Sequence, residues 1–116
     1  MYANGRTVRD MPTRGNGFRE ARARLIRALE LGQFEFEIGE VRKGKNLLQT
    51  GEVTREFVIG LLRVCRGSDH SASAHHLAPS LECHVFKPVA KRVRWYIKCY
   101  FPGEATVLIS VHIAEH

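Results

Sequence analysis

The chain has 116 residues, of which 44% are hydrophobic and 26% are charged, and its formal net charge is +6. This length supports one hydrophobic core and excludes two independent ones. The hydrophobic fraction excludes a wholly disordered chain, and no apolar run reaches the roughly 18 residues of a membrane helix. A basic excess of this size favours a polyanionic partner, and nucleic acid more than a membrane surface.

The N-terminal residues and the cysteines bear on domain organisation and compartment. Residues 1–17 carry three arginines among Gly, Asn, Pro and Thr and have no apolar segment of a signal peptide, which predicts a flexible basic arm. That arm is either idle or in contact with nucleic acid. Residues 18–116 are expected to form one α+β domain. Three cysteines without a C-x-x-C pair do not suit a secreted disulfide scaffold, so we expect a reducing, cytoplasmic environment.

Helical periodicity appears in the first half of the chain. Apolar residues recur at helical spacing over residues 18–31, and Gly32 suits a helix C-cap. A second helix is predicted after Gly51, ending near Gly67. Between the two, residues 33–38 alternate like a short strand, or form a loop that leads into a short helix over 41–49.

The last third changes to the alternation of strands. Residues 82–88, 92–101 and 105–113 are rich in Val, Ile and aromatic residues, which predicts three strands joined by two short hairpins. Residues 67–79 are expected to be a mobile loop. Helices followed by strands predict an α+β fold, with the N-terminal helices packed on one face of a small antiparallel sheet.

Alternation also assigns side chains to the two faces of that sheet. In the middle strand Arg94, Tyr96 and Lys98 share the face away from the helices. In the last strand Ser110 and His112 are expected beside them. The residues expected opposite, toward the helices, are Val107, Ile109, Val111 and Ile113, which leaves Leu108 on the open side. The first strand offers two alternatives: either Lys87 with Val85 and Cys83, or His84 with Phe86.

Charge singles out this sheet face as a candidate RNA-binding surface. No acidic residue lies between Glu82 and Glu104, whereas five cations do. Cations with interleaved aromatic rings are typical of RNA binding, because they bind phosphates and stack on unpaired bases. The alternative is an ordinary solvated sheet face. The residues expected to bind RNA there are Arg94, Arg92, Lys91, His84, His76 and His70.

The same face contains the groups that metal-independent RNA cleavage requires. Histidine can act as acid or base near neutral pH, Lys and Arg stabilise the charged phosphorane, and Tyr can donate a proton or stack on a base. His112, Tyr96 and Lys98 supply one of each. A zinc site is the alternative, because neutral imidazoles and a thiolate suit zinc and His70, His75, His76, Cys83 and His84 lie close in sequence, but no regular ligand pair is present. We therefore expect no cofactor and no metal.

The second half of the chain resembles the motility quorum-sensing regulator (MqsR) family of bacterial toxins, which are RelE-like mRNA interferases. The matching stretches, over residues 52–116, are Val58-Ile59-Gly60-Leu61, Ser68-Asp69, His84-Val85-Phe86-Lys87-Pro88, Trp95-Tyr96-Ile97-Lys98 and Ser110-Val111-His112. The resemblance implies a RelE-like fold, metal-independent cleavage of mRNA and neutralisation by a partner antitoxin protein. A non-catalytic RNA- or DNA-binding module that uses the same face is the alternative.

The resemblance also implies roles for individual residues. The family's catalytic tyrosine corresponds to Tyr96, its strand arginine to Lys87 and its C-terminal lysine to His112. Lys87 keeps the charge of that arginine but not its bidentate fork. Three family residues are absent here: the loop lysine has no counterpart, a glutamine is replaced by Cys83, and an aspartate by His84. The predicted catalytic residues are thus His112, Tyr96, Lys98 and Lys87.

Overall fold

The computed structural model describes residues 17–37, 45–75 and 77–114. In chain order the elements are helix α1 (Phe18–Leu31), strand β1 (Glu35–Phe36), helices α2 (Leu47–Thr50) and α3 (Arg55–Val64), a 3-10 turn (Gly67–Asp69), and strands β2 (His70–Ala74), β3 (Glu82–Phe86), β4 (Val89–Ala90), β5 (Val93–Tyr100) and β6 (Val107–Ile113). The predicted α+β class is confirmed. Most of the predicted arm and residues 41–44 of the alternative helix lie outside the described residues.

The strands form a mixed, mostly antiparallel sheet. Its order is β1-β6-β5-β3-β2, with β4 paired to β5 off this path. Strand β1 runs parallel to β6, and the other pairings are antiparallel. The predicted three-stranded meander is confirmed as β3, β5 and β6. The short strand predicted within residues 33–38 is also present, as β1.

Helices α1 and α3 pack on one face of this sheet and form the core with it. Leu25 and Leu29 of α1, Leu62 of α3, and Phe86 and Ile97 of the sheet are all fully buried in one cluster. Burial of each such side chain contributes about 1.5–3 kcal/mol. We call the opposite side of the sheet the open face. It is the side on which the sequence places Arg94, Tyr96, Lys98, Ser110 and His112.

Helix α1 ends where its sequence predicts, at Gly32. This residue has a φ of 71°, and its N–H meets the carbonyls of Ala28 and Leu29. A Cβ at this position would lie 2.8 Å from the Nη1 atom of Arg55, whose guanidinium donates to the Leu29 carbonyl. Both the left-handed backbone and this close approach therefore favour glycine.

Gly32→Ala is expected to lower the free energy of unfolding by about 1–2 kcal/mol, because the left-handed conformation is strained for a residue with a Cβ. Gly60, in the middle of α3, has open space around its Cβ position. Gly60→Ala is thus the matched control and should stabilise the protein by about 0.5–1 kcal/mol. Urea denaturation of both variants measures the difference. Equal effects of the two substitutions would contradict this account of Gly32.

The prediction of a loop over residues 67–79 is wrong for the first half of this segment. Residues 67–69 form the 3-10 turn, and His70–Ala74 form β2, an edge strand paired with β3 in a regular register from His70↔Phe86 to Ala74↔Glu82. The Ser-Ala sequence of β2 has low strand propensity, and four of its five residues are exposed. Pairing with β3 rather than local sequence preference thus makes this segment a strand.

The predicted facing of β6 is correct at one end and wrong at the other. Lys98 pairs with Ser110, but the next residue, Cys99, pairs with Leu108, so Ile109 is the extra residue of a β-bulge. Leu108 therefore joins Val111 in the core, whereas it was expected on the open face. The bulge reverses the alternation before Ser110 and leaves the predicted facing of Ser110 and His112 unchanged.

Candidate functional site

The open face brings together the side chains of three strand segments. The register pairs Tyr96 with His112, and Lys98 with both Ser110 and Val85. Because paired residues share a face, Val85 and Cys83 lie on the open side and His84 and Phe86 on the helix side. Of the two alternatives for the first strand, the structure has the one with Lys87, Val85 and Cys83.

Tyr96 lies at the centre of a stack on this face. Its ring is nearly parallel to that of His112, with an interplanar angle of 14° and centroids 4.9 Å apart. The Lys87 ammonium lies 5.7 Å from the centroid of the same tyrosine ring. Lys98 follows Tyr96 on the same face, about 7 Å further along the strand. All four predicted catalytic residues thus belong to one half-exposed surface.

The hydrogen bonding of His112 determines which of its ring nitrogens is available as a base. Its Nδ1 atom lies 2.9 Å from the carbonyl oxygen of Ile113. A carbonyl only accepts, so Nδ1 carries the proton and donates it. In the neutral ring Nε2 then has the lone pair. The backbone of β6 therefore selects the tautomer that a general base at Nε2 requires.

Arg94 lies at the end of the open face and is held in place by two contacts. Its Nη1 donates to the Lys87 carbonyl at 2.7 Å and forms an ion pair with the Asp69 carboxylate at 3.5 Å. Asp69 is mostly buried and also accepts from the N–H of Arg66. The sequence singled out an acid-free strand pair, but Asp69 reaches it from the 3-10 turn. Arg94 is consequently a less available cation than Lys87 or Lys98.

A second acidic residue, Glu37, lies near the other end of the face. Its carboxylate accepts from the Tyr100 hydroxyl at 2.9 Å and lies 3.7 Å from Nε2 of His75. The rings of His75 and Tyr100 meet edge to face at 4.7 Å. Burial and the adjacent Glu37 carboxylate raise the pKa of Tyr100. The sequence analysis does not single out Glu37. The alternation of residues 33–38 predicts a strand in this segment, but it does not predict which other strand that strand pairs with.

His70 and His84 lie away from the open face, although the sequence predicts that both bind RNA as part of that face. Nε2 of His70 is 3.1 Å from Nδ1 of His84, and His84 is only 2% exposed. Their rings are stacked on the helix side of the sheet, with Phe18 and Phe86 against His70 and Phe101 against His84. Neither ring therefore lies on the surface that contains Tyr96 and His112. The prediction assigned both histidines to the open face because they lie close in sequence to its residues, whereas the alternation of side chains along the strands places them on the helix side.

The remaining residues predicted to bind RNA are Lys91, Arg92 and His76. Lys91 and Arg92 form the exposed two-residue turn between β4 and β5, where both have positive φ angles, 52° and 68°. Such a turn normally contains Asn and Gly, so two cations held there carry some backbone strain. His76 lies outside the described residues.

The cysteines and histidines do not form a metal site in the part of the chain that the structure describes. Within that part, no group of three or more His, Cys, Asp and Glu side chains is arranged to hold a metal ion. Burial raises the pKa of Cys65 to about 11 and also raises the pKa of Cys83 and of Cys99. All three are therefore neutral thiols near pH 7, and Cys65 and Cys99 are core residues as predicted.

No helix among the described residues is long and apolar enough to cross a membrane. No protein-family model, no curated protein and no solved structure matches this chain. The α+β fold and the geometry of the open face are therefore the basis for any statement of function, and the resemblance to the RelE-like toxins stays a prediction.

Proposed function

We propose that the chain is a metal-independent endoribonuclease that cleaves single-stranded RNA, mRNA included, on the open face. The observation that carries this proposal is the grouping of Tyr96, His112, Lys87 and Lys98, which come from three segments of the chain. A base, a hydroxyl donor and two ammonium groups on one surface match the requirements of phosphodiester transesterification.

In the proposed reaction His112 Nε2 takes the proton of the ribose 2′-hydroxyl, and the 2′-oxygen attacks the adjacent phosphorus. The bond from phosphorus to the 5′-oxygen breaks, and the Tyr96 hydroxyl gives its proton to that oxygen. Lys98 and Lys87 stabilise the additional negative charge of the phosphorane. The products are a 2′,3′-cyclic phosphate and a 5′-hydroxyl, so no water, metal or oxidant is consumed.

Single-stranded RNA suits this surface better than a duplex does. The stack covers both faces of the Tyr96 ring, one with Lys87 and the other with His112. A base can therefore stack on the outer face of the His112 imidazole, which requires that the base is unpaired. The ammonium groups of Lys87 and Lys98 would bind the adjacent phosphates.

The biological role that we propose is that of a cytoplasmic toxin with a neutralising antitoxin protein. It rests on the ordered resemblance of residues 52–116 to the MqsR toxins and on the three reduced cysteines. Such a partner would protect the cell that makes the ribonuclease. An antitoxin that covers the open face would block access of RNA to Tyr96 and His112.

Incubation of the purified chain with a labelled single-stranded RNA in excess EDTA tests the activity. We expect fragments that end in a 2′,3′-cyclic phosphate, and no cleavage of an all-2′-deoxy strand of the same sequence. If the RNA stays intact after prolonged incubation yet binds with a steep salt dependence, the chain is the alternative, a non-catalytic binding module. If cleavage requires a divalent metal, the proposed mechanism is wrong.

A further inference from the structure

The arginines of α1 form a second charged surface, on the other side of the molecule from the open face. Arg19, Arg22 and Arg27 of α1 and Arg63 of α3 line a groove of about 470 Å³ between the two helices. We call it the arginine groove. Because α1 and α3 cover the core side of the sheet, the sheet separates this groove from Tyr96 and His112.

The charge of the arginine groove is mostly uncompensated. Glu30, the one carboxylate among the described residues that line the groove, forms an ion pair with Arg63 at 3.0 Å, and both side chains are about half exposed. Arg22 is held by its hydrogen bond to the Cys65 carbonyl and lies over the Phe18 ring. Among the described residues, Arg19 and Arg27 have no acidic partner. The groove thus presents four guanidinium groups against one carboxylate.

The chain's own remaining segments are poor candidates to neutralise this groove. Residues 1–16 contain three arginines and one aspartate, and residues 38–44 contain one glutamate against an arginine and a lysine. Both segments carry a positive net charge and would be repelled by four guanidinium groups. The remaining acid outside the described residues, Glu115, follows the last residue of β6 by two positions and is thereby tethered to the sheet rather than to α1. The complementary occupant is therefore an anionic group of another molecule.

The floor of the groove favours a protein segment over nucleic acid. Ala23 and Ile26 line it between the arginines, and the Ile26 side chain is only partly covered by the core. An apolar floor with a cationic rim complements an amphipathic helix that has apolar residues on one face and carboxylates beside them. Guanidinium groups bind carboxylates through two parallel hydrogen bonds.

We propose that the arginine groove binds an acidic amphipathic segment of a partner protein, on the face opposite the open face. Since the residues of α1 that line the groove run from Arg19 to Glu30, about 17 Å along the helix axis, the groove accommodates about three turns of a docked helix. This inference does not depend on the proposed ribonuclease activity. The two surfaces are separate, so the groove can be occupied while RNA lies on the open face.

The test uses the full chain and a designed 16-residue peptide with leucines on one helical face and glutamates beside them, measured by fluorescence anisotropy. We expect binding that weakens with salt, and no binding of the same peptide with lysine in place of glutamate. Arg19→Glu with Arg27→Glu should weaken binding at least about tenfold. Glu30→Gln should strengthen it, because it removes the opposing carboxylate. Arg92→Glu, in the distant β4–β5 turn, is the matched control and should leave the peptide affinity unchanged.

Single-stranded RNA, titrated into the same variants, distinguishes a protein partner from a phosphate track. If Arg19→Glu with Arg27→Glu reduces RNA binding and not peptide binding, the proposal is overturned and the groove is part of the nucleic-acid surface. Failure of the acidic peptide to bind at about 0.1 mM also overturns it. Circular dichroism of the variants, whose substituted side chains are exposed, verifies that each one is folded.

Discussion

His112→Ala is expected to slow RNA cleavage by about 10²–10⁴-fold, the usual contribution of a positioned general base. The affinity for a non-cleavable 2′-deoxy strand should fall much less, by about tenfold, because the stack of a base on the imidazole is lost while Lys87 and Lys98 still bind phosphate. Single-turnover cleavage and a separate binding titration measure the two effects. The free energy of unfolding should fall by only about 1 kcal/mol, since His112 is partly exposed and its main contact is the stack on Tyr96.

Tyr96→Phe separates the role of the hydroxyl from that of the ring. Phenylalanine keeps the ring that stacks on His112 and contacts Lys87, but it cannot donate a proton to the leaving 5′-oxygen. The cleavage rate should fall while RNA binding is retained. Arg27→Ala, on the opposite side of the molecule, is the control. If His112→Ala and Tyr96→Phe together leave the rate at the wild-type value, the open face is not the active site.

The fold was predictable wherever local sequence carries the signal. The 3.6-residue period of residues 18–31 with Gly32 predicts α1, and the alternation of residues 82–113 predicts the meander. Strand β2 has no such signal, since its Ser and Ala residues fit a loop equally well and only the register with β3 makes it a strand. The bulge at Ile109 is invisible to alternation for a similar reason: it is a property of the strand pair, not of either strand.

The same distinction explains the candidate site. Tyr96 and Lys98 lie two residues apart on one strand, and a hairpin places His112 opposite, so their grouping follows from local rules. The acidic residues beside this face reach it through long-range contacts: Glu37 is 63 residues from Tyr100, and Asp69 is 25 residues from Arg94. Charge counted along the sequence overestimates the potential of the face, because it omits acids that other elements supply.

The pair formed by His70 and the buried His84 makes the stability of the fold sensitive to acid. Burial, the neighbouring His70 and the positive charge of Arg24 lower the pKa of His84 to about 4, and burial also lowers the pKa of His70. The Glu82 carboxylate lies 3.7 Å from Nε2 of His84 and favours the protonated ring. That carboxylate is about one-third exposed, so solvent screens it and the effect of burial dominates. His84 is therefore neutral in the folded protein at neutral pH.

Acidification from pH 7 to pH 4 is expected to destabilise the protein through His84. The unfolded chain takes up a proton near pH 6.5 and the folded chain only near pH 4, so the contribution of His84 is complete above pH 6.5 and is lost as the pH falls through 4. A pKa difference of about 2.5 units corresponds to roughly 3 kcal/mol. His84→Asn retains a polar atom near the position of Nδ1, facing His70, but does not titrate. Urea denaturation across this range should show a shallower pH dependence for His84→Asn than for the wild type. Parallel curves for His84→Asn and the wild type would mean that His84 is not the titrating group.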